Sequence, residues 1–85
     1  MKEFKYVIKD EVGIHARPAG LLVKKAKEFS DKITISINGK SAEATRLMAL
    51  MGLGVKHGDE VTVTVEGADE DSTATAMQEF FNENL

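Results

Sequence analysis

Eighty-five residues leave room for one small hydrophobic core and no second one, so a single domain over residues 1–85 is expected. A net charge of −3 argues against general affinity for nucleic acid or anionic membranes, and no stretch is apolar for long enough to enter a bilayer. With no cysteine there is neither a disulfide framework nor thiolate chemistry, which fits a cytoplasmic protein, and two distant histidines give no metal-ligand spacing.

In chain order, residues 2–8 read as a strand, with Phe4, Tyr6 and Ile8 alternating onto one face. Asp10 to Gly13 form a turn. A helix is then predicted from about Ala16 to Phe29, with Ala19, Leu22, Val23, Ala26 and Phe29 as its buried face. Pro18 suits the first turn of that helix but disfavours an α conformation at Arg17, so either Ala16 or Arg17 begins it. A second strip of the helix carries Arg17, Gly20, Leu21, Lys24 and Glu28; it makes Leu21 exposed, and Gly20 costs the helix about 1 kcal/mol relative to alanine. Ser30 and Asp31 end the helix.

Ile33, Ile35 and Ile37 alternate with Thr34 and Ser36 as a half-buried strand, and Asn38-Gly39 is a two-residue hairpin signal leading to a short strand from about Lys40 to Ala44. Thr45 is expected to cap a brief helix through Met51, which Gly52 and Gly54 then break. Leu47 and Leu50 are assigned to the core. Met48 and Met51 exceed what so short a helix can bury, and exposed methionine adapts to varied partners. Residues 56–59 form a polar turn in which His57 is a surface residue. Val61, Val63 and Val65 mark the last strand. The final helix spans Asp69 to Leu85, with Asp69 as its cap and Ala74, Met77 and Phe81, joined by Phe80, as its buried stripe. Thr73, Thr75, Asn82 and Asn84 weaken it intrinsically, so packing must hold it.

The order strand, helix, strand, strand, helix, strand, helix predicts an α+β open-faced sandwich. A four-stranded antiparallel sheet is covered on one face by three helices (βαββαβα). Small RNA-binding sheets share this order, but they read bases with aromatic residues on central strands and basic surfaces, neither of which occurs here.

The chemistry concentrates in Gly13-Ile14-His15-Ala16-Arg17-Pro18-Ala19. A helix N-terminus offers unpaired amide hydrogens, here those of Ala16 and Arg17, and the positive end of the macrodipole. Arg17 adds a permanent cation with a fork suited to phosphate, and His15 is the segment's only nucleophile. Together they read as a histidine that carries a phosphoryl group. No second acid or base lies near His15 in sequence, which argues against a phosphatase or other enzyme. The positive charges Arg17, Lys24, Lys25 and Lys27 on this helix would orient an acidic partner toward it.

This heptapeptide resembles the active-site signature of HPr, the histidine-containing phosphocarrier of the bacterial phosphotransferase system. Chain length, element order and the later Met51-Gly52-Leu53-Gly54-Val55 segment extend the resemblance to the whole chain. The resemblance implies that His15 accepts a phosphoryl group on Nδ1 from phosphorylated enzyme I and passes it to sugar-specific IIA or IIB components, without metal or organic cofactor and as a monomer. A regulatory relative phosphorylated at the same histidine is the alternative. The implied docking surface comprises Gly20, Leu21, Lys24, Leu47, Met48 and Met51. Two departures stand out. Val12 replaces the small polar residue usual at its position, and Arg46 occupies the place where many relatives carry a kinase-targeted serine. The resemblance therefore implies a carrier lacking that regulatory phosphosite.

Overall fold

The computed structural model describes residues 1–11, 13, 14 and 16–85. Its elements are β1 (Lys2–Val7), α1 (Ala16–Ala26), β2 (Lys32–Ile37), β3 (Lys40–Glu43), α2 (Leu47–Gly52), β4 (Glu60–Glu66) and α3 (Glu70–Asn84). The strands form one antiparallel sheet in the order β1-β4-β2-β3, and the three helices cover one face, as the element order predicts.

Register follows from alternation, because shifting a strand by one residue would turn its apolar set toward solvent. Phe4 lies opposite Val63, Val63 opposite Ile35, and Ile35 opposite Ala42, so one apolar row crosses all four strands. Thr34, Ser36, Thr62 and Thr64 fall on the other face and are half-buried. At the β2–β3 hairpin Asn38 and Gly39 have φ of 49° and 79°, the pair of positive values that a type I′ turn needs.

The helices bury Ala19, Leu22 and Ala26 of α1, Leu50 of α2, and Thr73, Met77 and Phe81 of α3. The Phe81 ring meets Phe4, Tyr6 and Phe80 edge-on, with centroids 5.9, 5.4 and 6.2 Å away, and so seats α3 on β1. Val23, Phe29 and Ala74, expected in the buried faces, are only partly buried.

Several local expectations are corrected. Helix α1 stops at Ala26, not Phe29. Glu28 and Phe29 donate their amides three residues back, to Lys25 and Ala26, which tightens the chain out of α-geometry before it enters β2. Thr45 does not cap α2. It sits in a turn closed by the Arg46 amide on the Glu43 carbonyl (3.1 Å), and extended Arg46 takes the cap position without a side-chain hydrogen bond. Gly52 is the last residue of α2 instead of its breaker. Leu47 is 39% exposed and Leu50 fully buried, because six residues present too narrow a face to bury both leucines.

Asp69 holds the N-cap position of α3, but its side chain makes no capping bond. The start of α3 is tethered instead by Asp31, a buried residue after α1. Its Oδ2 accepts from Thr73 Oγ1 at 2.9 Å, and its Oδ1 accepts from the Asp69 amide at 3.4 Å. Gly67 makes room: at its φ of 153°, an added Cβ would lie 2.0 Å from Asp31 Oδ1. Thr73 thus supports the helix it was expected to weaken. Thr75 and Asn84 return their donors to the carbonyls of Asp71 and Phe80 within the same helix.

Candidate functional site at the start of the first helix

Between β1 and α1, the described residues Ile8, Lys9, Asp10, Gly13 and Ile14 are fixed by backbone contacts. The Gly13 amide donates to the Asp10 carbonyl (3.2 Å), and the Ile14 amide donates to the Val55 carbonyl (3.1 Å). Gly13 has φ of 81°, and a Cβ there would stand 2.3 Å from the Val55 oxygen and 2.6 Å from Lys56 Cα. Only glycine tolerates both the conformation and the approach. At the other end, the Ile8 amide donates to Asp59 O and the Gly58 amide to Ile8 O, both at 2.9 Å. The Leu85 carbonyl accepts from the amides of Lys9 and Asp10.

Helix α1 begins at Ala16, which decides the boundary that the sequence left open. Pro18 is its third residue and is buried, and it carries no amide hydrogen. Ala16 and Arg17 therefore bring the leading amide donors of the helix, and both residues are exposed. Two sequence expectations, the reactive role of His15 and the departure at Val12 from the usual small polar residue, fall on residues outside those described.

Arg17 borders a groove of about 310 Å³ shared with Asp10, Pro18, Leu21, Glu83 and Asn84. Asp10 belongs to the turn expected to lead into the site, whereas Glu83 and Asn84 were not anticipated there; they come from the far end of the chain, and no local pattern could have revealed that meeting.

On the two helices α1 and α2, which pack against each other, Leu21 is 44% exposed and Met48 is 79% exposed; Leu47 and Met51 are also open to solvent. Lys24 is exposed and Gly20 half-buried, with open space where a Cβ on Gly20 would lie. That space removes any packing reason for a glycine in the middle of α1. Arg46 is exposed beside Glu43, with Nε 3.6 Å from a carboxylate oxygen. His57 is an exposed loop residue, as expected, with Nδ1 3.3 Å from the Asp10 carbonyl. Among the described residues no helix is long and apolar enough to cross a membrane.

The family described as "PTS HPr component phosphorylation site" matches residues 2–83. Phosphocarrier protein HPr of Mycoplasma genitalium is 38% identical over 99% of this chain and 97% of its own length. The crystal structure of HPr from Thermoanaerobacter tengcongensis superposes with a TM-score of 0.93 at 37% identity, covering 99% of this chain and 94% of that one. Crh of Bacillus subtilis, a catabolite repression protein crystallised as a domain-swapped dimer, matches with a TM-score of 0.78 at 32% identity, over 100% and 98% of the two chains. Sequence match, strand order and the architecture around α1 agree, and the chain belongs to the HPr family of phosphocarrier proteins of the phosphotransferase system.

Proposed function

We propose that this chain, acting as a monomeric single domain in the cytoplasm, accepts a phosphoryl group on His15 from enzyme I and delivers it to IIA or IIB components of sugar permeases. The observation that carries this reading is the start of α1 at Ala16, immediately after His15, with Arg17 exposed beside it. In the transfer, the Nδ1 lone pair of His15 attacks phosphorus. The new N–P bond forms as the donor's bond to phosphorus breaks, and the departing electron pair returns to the donor. The leading amides of α1 and the Arg17 guanidinium offset the phosphoryl charge. Each exposed helix-terminus contribution is about 0.3–1 kcal/mol, small enough that the group can leave again. Gly20, Leu21, Lys24, Leu47, Met48 and Met51 are the surface on which partners would settle.

Incubation with enzyme I and phosphoenolpyruvate tests the assignment. The expected product is an acid-labile, alkali-stable phosphoramidate on His15, lost in His15→Ala and retained on His15 in His57→Ala. Label that persists in His15→Ala would refute it.

A second reading is a regulatory relative phosphorylated at the same histidine; the similarity to Crh, a catabolite repression protein, speaks to its regulatory part alone. Transfer onward to a purified IIA component separates the two: a carrier discharges and a dedicated regulator does not. Size-exclusion chromatography with light scattering distinguishes a monomer from a swapped dimer.

A further inference from the structure

We infer that the Lys56–Asp59 turn positions the reactive segment for transfer, with His57 as its acting side chain; this rests on the reading of His15 as the phosphoacceptor. The turn is closed on itself by the Asp59 amide on the Lys56 carbonyl (3.0 Å) and by the Lys56 amide on Asp59 Oδ2 (2.9 Å). From it and the adjoining Val55 come connections to Ile8, Asp10 and Ile14. Ile8 at the start exchanges backbone bonds with Gly58 and Asp59, and Ile14 at the end donates to Val55. From the turn, His57 reaches the middle at the Asp10 carbonyl, which also accepts the Gly13 amide, while the Asp10 amide is held by the Leu85 carbonyl (2.8 Å).

The two outer connections are backbone to backbone and use no side chain, resting on Gly13 and Gly58 for their geometry. The central one depends on the side chain at position 57. A carbonyl oxygen only accepts, hence Nδ1 of His57 must carry the hydrogen. Donating to the carbonyl that closes the Gly13 bend, the ring adds to the Leu85 carbonyl a second restraint on Asp10, and through it on Gly13, this one from the side of the turn. A shift of the attacking atom by a fraction of an ångström costs rate more than affinity, because the bound pair must reach a near-attack arrangement. His57 is thus a positioning residue that acts through Asp10 and never takes the phosphoryl group itself.

Three measurements on the full chain test this. Nitrogen NMR of the wild-type His57 ring should show the neutral form held as the Nδ1–H tautomer; the Nε2–H tautomer alone would overturn the inference. His57→Ala should lower kcat for transfer from phospho-enzyme I several-fold, with KM and melting temperature unchanged. His57→Asn, whose side-chain amide can donate from nearly the same place, should restore it. Wild-type kcat in His57→Ala, or equal loss in both variants, would overturn the inference. The amide resonances of Gly13 and Ile14 should move in His57→Ala and return in His57→Asn; no movement in either variant would also overturn it. The tautomer and amide readings need no enzyme I, so they judge the positioning even if the wild-type chain takes no phosphoryl group on residue 15, a result that would instead refute the phosphoacceptor reading.

Discussion

Thr73 Oγ1 donates to Asp31 Oδ2 at 2.9 Å, joining residues 42 positions apart and tying the exit of α1 to the first turn of α3. The carboxylate also faces the positive end of the α3 dipole. Removing it by Asp31→Ala leaves the Thr73 hydroxyl, in a residue only 1% exposed, without its acceptor, which costs about 1–3 kcal/mol. Thermal denaturation should show a fall of several degrees, at about 4–8 °C per kcal/mol for a domain of this size. Thr73→Val should lose less, because it leaves the carboxylate its remaining bond from Asp69. A variant Asp31→Ala that melts like the parent would show that the pair is incidental.

That pair also marks what the sequence could and could not disclose. Strands β2 and β4 were legible because Ile33, Ile35 and Ile37, and likewise Val61, Val63 and Val65, alternate without interruption, and Asn38-Gly39 has few uses besides a type I′ turn. The helix start was legible to within one residue because Gly13 and Pro18 punctuate the local chain, while the choice between Ala16 and Arg17 stayed open. The cap of α3 was not. Asp69 is a good cap by local rules, but its side chain makes no capping bond; Asp31 instead accepts the Asp69 amide and the Thr73 hydroxyl, and no local pattern records a partner so far away. Thr45 failed similarly: local chemistry favours its hydroxyl as a cap, whereas the turn leaving β3 places Arg46 there instead. Leu47 and Leu50 look alike in sequence and differ only because α2 lies on the core along one narrow edge.

Arg17 should matter for transfer and little for folding. It is exposed at the second position of α1, on the border of the groove with Asp10 and Glu83. Arg17→Ala is expected to change stability by no more than about 0.5 kcal/mol, as for other surface sites. The same variant should lower kcat/KM for transfer to His15 roughly tenfold or more, equivalent to about 1.4 kcal/mol of transition-state stabilisation. Arg17→Lys should recover only part, since a single ammonium cannot reproduce the guanidinium fork. Steady-state transfer assays beside thermal melts decide this, and full activity of the alanine variant would remove Arg17 from the mechanism.

Met48, at 79% exposure, and Leu50, at 0%, are neighbours in α2 with opposite duties. Met48→Glu should change stability by no more than about 0.5 kcal/mol, whereas Leu50→Ala opens a cavity and should cost about 2–5 kcal/mol. Binding should rank them the other way. If Leu21, Met48 and Met51 receive enzyme I, then Met48→Glu sets a charge in the contact and should weaken association by more than about 1 kcal/mol in titration calorimetry. Unchanged affinity would remove Met48 from the docking surface.

Arg46 yields the prediction with two independent readouts. It sits at the N-cap of α2 in extended conformation (φ −115°, ψ 102°) and makes no side-chain bond to the helix amides. Its Nε lies 3.6 Å from Glu43, but the pair is exposed and such pairs contribute only about 0–1 kcal/mol. A serine in that backbone conformation can accept a hydrogen bond from the second or third amide of α2, a cap worth about 1 kcal/mol. Arg46→Ser is therefore expected to leave stability unchanged or raise it, despite the lost ion pair. It also creates a hydroxyl where the parent has none. With ATP and a competent HPr kinase, the variant should gain one phosphate on Ser at position 46, while the parent stays unmodified. That phosphate would bring up to two negative charges beside Leu47 and Met48 and should slow transfer from enzyme I. Intact-protein mass spectrometry measures the phosphate gained, and thermal melts measure the stability. Stoichiometric phosphate on Thr45 of the parent chain would show a substitute switch one residue away, and loss of stability in Arg46→Ser would show that the arginine, not a hydroxyl, is what this helix start requires.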